Sequence, residues 1–491
     1  MNINTLESIM TNEINNKNVT NNEIGIVTSI FNNIVIAEGL PNCIYGEKVI
    51  FENEIEGIVY FLGEDLVKIL VISNAETIKE GFIINSTGKL FYISIPKNFI
   101  KLFNNTWELT DLISLKHENA EIRPIDIIPP GVIERDFVKE SLHTGILLID
   151  SLIPIGKGQR ELIIGNINSG KSALGLDMII SQKKNIKKVY CIYVAIGQKA
   201  STVKRTEEIL QKQDVMSYTM IITANASHSS TSQYIAPYLA MTIAEYIKDE
   251  GHDVLIVFDD LTQHAIAYRE INLLLKNIPG REAYSGDIFY IHARLLERCG
   301  KFKKGGSITG IPIISTHDIA SYIPTNVISI TDGQIFLDTD LFNKGQKPAI
   351  NIGISVSRLG GAVQGKFMKK VCSSLKIDLA SSEELEKFLQ FSSDIDDVSK
   401  KIIEKGRNIK NIFKQKTCSP YELWEEIVIL FILTNDLIKN VNKSIFYEIF
   451  DTIKKKHLSI INNINKDILI DETLKELKDI IYVISNNKES N

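Results

Sequence analysis

The segment Gly165-Asn166-Ile167-Asn168-Ser169-Gly170-Lys171-Ser172 constrains this chain more than any other, because two glycines separated by four residues run directly into Lys and Ser. Glycines let a backbone curl until successive N–H groups point inward at one anion. In this pattern Lys171 sets a positive charge on the outer phosphates of a nucleotide, and the Ser172 hydroxyl is a magnesium ligand. Such a loop has to join a strand to a helix, and both neighbours fit. Glu161-Leu162-Ile163-Ile164 reads as a short buried strand, and 173–180 reads as an apolar helix that aims its positive end at the same anion. A nucleotide-binding α/β domain is expected.

A chain of 491 residues exceeds what one core usually fills, so two or three domains are expected. The formal net charge of -5, with 23% charged residues, gives no electrostatic footprint for nucleic acid or anionic lipid. Cys43, Cys191, Cys299, Cys372 and Cys418 lie far apart, with no CxxC and an odd total, which argues against a disulfide framework or a cysteine zinc site and fits a reducing compartment. The closest histidines, His252 and His264, are too far apart for a metal pair on one helical face. The longest apolar block, 427–433, is far shorter than a bilayer span.

Residues 1–22 read as an arm, with Leu6, Ile9, Met10 and Ile14 on one helical face followed by an Asn-rich run. Short β-rich runs at 24–30, 34–37, 57–61, 66–72 and 89–95 alternate with turn residues, so 23–95 is expected to form a small β-barrel. Between 24 and 95 nine acidic residues stand against four lysines, which disfavours an oligonucleotide groove. Over 96–370 the predicted strands are 161–165, 189–197, 220–224, 254–259, 311–315 and 327–330, and their near-continuous hydrophobicity points to a parallel sheet covered on both faces. Residues 371–491 are expected to form an α-helical bundle. Ser381 with Glu384, and Ser419 with Glu422 behind Pro420, read as capping boxes that start two of its helices.

Val254-Leu255-Ile256-Val257-Phe258-Asp259-Asp260 has the form of an apolar strand ending in carboxylates, and Asp259 is expected to orient magnesium. Hydrolysis would also need a carboxylate to position water, and the strand end after Ile196 is where such a group would stand. There the chain offers Gln198, and an amide has no proton affinity near neutral pH. The site can hold ATP and still cleave it poorly. Arg358, in Ser355-Val356-Ser357-Arg358, stands where a guanidinium could reach a phosphate bound across a subunit boundary; the residues alone leave a surface ion pair equally open.

The chain resembles the alpha subunits of the F-type ATP synthases over nearly its whole length. The likeness is carried by Gln159-Arg160-Glu161-Leu162-Ile163-Ile164-Gly165, by Cys191-Ile192-Tyr193-Val194-Ala195-Ile196-Gly197-Gln198-Lys199 and by Pro279-Gly280-Arg281-Glu282-Ala283-Tyr284. It continues through Ile323-Pro324-Thr325-Asn326-Val327-Ile328-Ser329-Ile330-Thr331-Asp332-Gly333-Gln334 and Ser355-Val356-Ser357-Arg358. The resemblance implies a β-barrel crown, a RecA-like nucleotide domain and a helical C-terminal domain. It implies a ring in which alpha alternates with beta, three of each, around a gamma shaft. The delta subunit and the b peripheral stalk sit outside that ring, at the cytoplasmic face of a bacterial cell membrane.

In such a subunit ATP and Mg2+ are held without turnover. By the same resemblance, Gln198 would take the place of beta's catalytic Glu, Arg358 would reach into the neighbouring beta site, and Ser355 would be a nearby residue needed for activity. Lys347, Pro348 and Gln415 are implied at the adenine pocket. Here the sequence departs from the family: Lys347 replaces Arg, Thr417 replaces a second Gln, and Asn166-Ile167-Asn168-Ser169 replaces Asp-Arg-Gln-Thr. The loops at 301–306 and 316–321 are shorter than usual, and Ser381-Ser382-Glu383-Glu384 replaces Gln-Tyr-Arg-Glu. Two rival readings stand beside this one. A catalytic beta-like or export-type ATPase subunit is opposed by Gln198, and a Rho-like hexameric RNA helicase by the acidic barrel and the long helical C-terminus.

Overall fold

Alternation of buried and exposed residues marks the first strand of the first domain. In β1 (Ile24–Phe31) Gly25 and Val27 are buried while Ile24, Ile26 and Thr28 face outward. With β2 (Ile34–Glu38), β3 (Glu47–Phe51), β4 (Glu56–Leu62), β5 (Val67–Val71) and β6 (Ile83–Leu90) it closes an antiparallel barrel in the order β1-β2-β5-β4-β3-β6. Closure leaves no free sheet edge. The interior is packed by Val27, Val35, Val49, Phe51, Val59 and Ile69. The computed structural model describes residues 23–115, 120–185, 187–389, 396–435, 437 and 443–489, so the helical face expected at Leu6, Ile9, Met10 and Ile14 lies outside the described residues.

Two barrel strands escape the sequence pattern. β3 opens on Glu47 and Lys48, and β6 passes through Asn85-Ser86-Thr87-Gly88, so neither reads as an apolar run. The run expected at 89–95 is two elements: Lys89 and Leu90 end β6, and the rest leaves the barrel as β7 (Tyr92–Pro96). The chain then lays down β8 (Thr106–Glu108) and β9 (Ala120–Pro124), with β7 pairing to β9, followed by a short ribbon of β10 (Ser141–Leu142) and β11 (Ile155–Gly156).

The central sheet continues with β12 (Leu162–Gly165), β13 (Val189–Ile196), β14 (Thr219–Ala224) and β15 (Asp253–Asp259). β16 (Gly300–Lys301), β17 (Ser307–Ser315), β18 (Gly333–Leu337) and β19 (Val356–Ser357) complete it. The order is β19-β18-β12-β17-β15-β13-β14-β8, with β16 hydrogen-bonded to β17. All neighbours from β18 to β8 are parallel, and β19 closes one edge antiparallel. Every residue of β12, β13 and β14 is buried, as helices on both faces require. The loop after β12 therefore opens at the carboxyl edge of the sheet, where ligands of such sheets bind.

The strand expected at 327–330 is instead the end of a helix, Tyr322–Ile330, which buries Ile323, Val327 and Ile330 on one face. The true strand, β18, follows it. Beyond the sheet the described chain is helical. Helix Leu423–Thr434 is buried almost all round and merges the C-terminal core with that of the sheet. Neither expected capping box starts a helix. Ser381 lies inside helix Leu375–Leu389, and the helix after Pro420 is capped by Glu422 with Glu425, because Glu422 is extended and the first helical turn begins at Leu423. No helix among the described residues is long and apolar enough to cross a membrane.

Candidate functional site

β12 delivers the loop 165–172 to the sheet edge, and close packing fixes its first residue. A Cβ at Gly165 would lie 2.6 Å from the Leu337 carbonyl on β18. Gly170 needs no space but has φ 98°, and Asn168 sits at φ 64°, a left-handed conformation that Asn tolerates. Between them Asn166 Nδ2 donates to Thr339 Oγ1 at 2.8 Å, while Ile167 is exposed. The Ser169 hydroxyl is buried without a hydrogen-bond partner among the described residues. Helix Lys171–Ser181 starts here. The Lys171 ammonium donates to the Asn166 carbonyl at 2.6 Å, and half-buried Ser172 begins the next turn. Burial lowers the Lys171 pKa, and Asp260 and Asp259 work against that fall.

The two carboxylates at the end of β15 have separate tasks. Asp260 caps helix Leu261–Leu274 by accepting from Thr262 N at 2.7 Å. Asp259, buried, accepts from the Tyr193 hydroxyl, and its backbone carbonyl accepts from Gln198 Nε2 at 3.1 Å. Gln198 thus lies beside the end of β15 as an amide, its Nε2 on the Asp259 carbonyl. A glycine cradle, a buried lysine, a hydroxyl and a nearby carboxylate together fit a magnesium nucleotide.

A cleft continues from Ser169 and Gly170 to Lys347, Pro348 and Gln415. Lys347 is exposed, its ammonium 4.7 Å from the centre of the Phe342 ring. The Gln415 amide is committed to backbone: Nε2 donates to the carbonyls of Gly145 at 2.7 Å and Ser419 at 2.9 Å, and Oε1 accepts from Leu147 N at 3.2 Å. Gln415 shapes this cleft by tying the 145–147 turn to the 415–419 stretch. Sequence reasoning missed Phe342 and Asp177, which also line it. Asp177 accepts from Cys418 N at 2.6 Å, and burial pushes its carboxyl up to about 6. A lone Asp in an apolar helix carries no local signal of that partner.

Arg358 is elsewhere. Ser357 pairs with Gly333 at the start of β18, whereas Leu337 at its far end lies beside Gly165. Four residues of strand, about 13 Å, separate the two ends. Arg358 is exposed, its Nη1 3.4 Å from the Thr331 carbonyl. Ser355 is not free to react: its buried hydroxyl donates to Asn351 O at 2.6 Å and accepts from Phe336 N at 2.9 Å, pinning the turn before β19. Gln159 Nε2 braces the same edge, donating to Glu161 at 2.7 Å and Ser357 at 2.9 Å.

Barrel, parallel sheet and phosphate loop define a multidomain P-loop nucleotide-binding protein of the RecA-like class. The family model described as ATP synthase alpha/beta family, nucleotide-binding domain, matches residues 145–357, and the C-terminal domain model of the same chains matches 364–483. The chain is 46% identical over 432 residues to the ATP synthase subunit alpha of Neorickettsia sennetsu, covering 86% of this chain and 85% of that one. It is 45% identical over 486 residues to that of Carsonella ruddii, covering 94% and 99%. Against that of Metamycoplasma arthritidis it is 46% identical over 462 residues, covering 92% and 87%. The chain belongs to the alpha subunits of the F-type ATP synthases.

Proposed function

We propose that this subunit holds MgATP in its own phosphate loop without turning it over and contributes to catalysis in the site of a neighbouring beta subunit. The observation that carries this reading is Gln198: the side chain beside Asp259 is an amide, which cannot take a proton from water near neutral pH. Residues 165–172 hold the phosphates, with Lys171 on the outer ones, and Ser172 and Asp259 are the magnesium side of the site. Lys347, Pro348 and Gln415 border the base, Lys347 through Phe342 and Gln415 through the backbone it anchors.

Arg358 is the residue offered outward. It is exposed at the end of β18 remote from the subunit's own loop, so it supplements a nucleotide only on another chain. Ser355 acts by placing that turn. The partners of this assembly are beta in an alternating ring, gamma within it, and delta with the b stalk outside; the membrane, on its cytoplasmic face, is reached only through them. Purifying the ring and assaying nucleotide retained through gel filtration tests the first half of the proposal. The expected result is nucleotide that stays bound to alpha while beta turns over; alpha-bound ATP hydrolysed at the beta rate overturns it.

A further inference from the structure

Two side chains from one short stretch, His143 after β10 and Asp150 in helix Leu147–Leu152, meet a third from far along the chain, Glu426 in helix Leu423–Thr434. His143 Nε2 lies 3.2 Å from Glu426 Oε2 and 3.5 Å from Asp150 Oδ2, and one donor atom from each residue lies within 4.8 Å of the others. Around a tetrahedral ion with bonds of about 2.0–2.1 Å, donors stand roughly 3.3 Å apart. Both separations fall close to that value.

The supports match a ligand set. Asp150 is oriented by Thr144 Oγ1 at 2.8 Å and Gly145 N at 2.9 Å, as outer hydrogen bonds orient a coordinating carboxylate. Glu426 is fully buried, and its second oxygen has no hydrogen-bond partner among the described residues. Both carboxylates pair with His143. With a neutral imidazole the three groups carry two negative charges, which one divalent cation cancels. An imidazole with two carboxylates selects the zinc class over magnesium, which prefers oxygen alone. The His143 side chain is 17% exposed, which leaves an ion a way in.

We propose that His143, Asp150 and Glu426 bind one zinc-class divalent cation, with water completing the coordination. The ion clamps the C-terminal helix Leu423–Thr434 to the turn at Gly145. That turn matters to the nucleotide cleft, because the Gly145 carbonyl accepts from Gln415 Nε2 at 2.7 Å and from Tyr421 N at 3.0 Å. The cation site is distinct from the magnesium of the phosphate loop and stands whether or not the proposed catalytic role does.

The test uses the full chain, stripped with chelator, saturated with MgATP to occupy the nucleotide site, and titrated with Co2+ and then Zn2+. One equivalent is expected, with the visible spectrum of four-coordinate Co2+ and a Zn2+-dependent rise in Tm. His143→Gln and Glu426→Gln, near-isosteric and checked for folding by circular dichroism, each lower the affinity more than tenfold and abolish the rise. Wild-type chain that takes up no Co2+ or Zn2+ beyond the nucleotide's metal overturns the site and leaves a proton as the neutralising ion. Uptake unchanged in both variants overturns the ligand assignment.

Discussion

Lys171 is six per cent exposed, and among the described residues its ammonium hydrogen-bonds only to a carbonyl, an unfavourable place for a charge. Phosphate oxygens at the loop would repay that cost with charge-assisted bonds, each worth about 1.5–3 kcal/mol. Lys171→Ala is therefore expected to weaken MgATP binding about 10- to 100-fold, measured by equilibrium dialysis on the full chain. Unchanged affinity would mean that the loop does not hold the phosphates.

Asp177 gives a residue-level prediction with a sign. Burial raises its carboxyl from 3.8 to about 6, so the folded chain binds this proton more tightly than the unfolded chain does. Its contribution is most favourable below pH 3.8 and is lost as pH rises through 6. Asp177→Asn keeps an oxygen for Cys418 N and carries no charge. At pH 7.5 it should stabilise the chain by about 1–3 kcal/mol in urea unfolding, and at pH 4 by little. An equal effect at both pH values would show that burial of charge is not the cause.

Among the elements, helix Leu423–Thr434 depends on its first turn. Glu422 and Glu425 cap each other's backbone there, and Glu422 Oε2 also accepts from Trp424 Nε1 at 3.0 Å. Glu422→Ala should cost about 1 kcal/mol, read as a lower urea midpoint at unchanged slope. The rule that places Ser or Thr at such starts predicts Ser419 instead. The chain departs from it because residues 419–421 are engaged elsewhere: Gln415 holds the Ser419 carbonyl and Tyr421 N bonds Gly145.

The elements that could be read from the sequence are those whose own residues decide them. β13 is apolar at every position but the tyrosines because both faces are covered, and the loop 165–172 writes its glycines where φ and close approach demand them. Where neighbours decide, local pattern fails. β3 and β6 are polar enough to pass for loops and are strands because the barrel closes through them. The β-branched run at 327–330 looks extended, yet Ile323, Val327 and Ile330 keep helical spacing and bury one face. The same divide runs through the site. Gln198 and Asp259 could be found at strand ends, whereas the contact of Asp177 with Cys418 spans 241 positions and has no signature in either segment.

At the scale of the molecule, the central sheet sets two features apart. The carboxyl end of β12 carries the loop 165–172, and the opposite end of the neighbouring β18 lies beside Arg358. The barrel is fixed to the same body by the hydroxyls of Tyr60 and Tyr268 at 3.0 Å and by Lys68 Nζ on the Leu275 carbonyl at 2.8 Å. Ile34 and Leu70 of the barrel also pack against Ile271 and Leu275 in one small apolar cluster. In the function proposed above, that separation lets one subunit keep a resident nucleotide and still serve a neighbour's chemistry.

Rings reconstituted with Arg358→Ala alpha and wild-type beta test that separation most directly, with retained nucleotide and steady-state ATPase measured on the same preparation. The account predicts alpha-bound nucleotide at the wild-type level and turnover slowed at least about 100-fold, a modest share of the roughly 10³–10⁵ that an arginine finger contributes in GTPases. Normal turnover in those rings would contradict it.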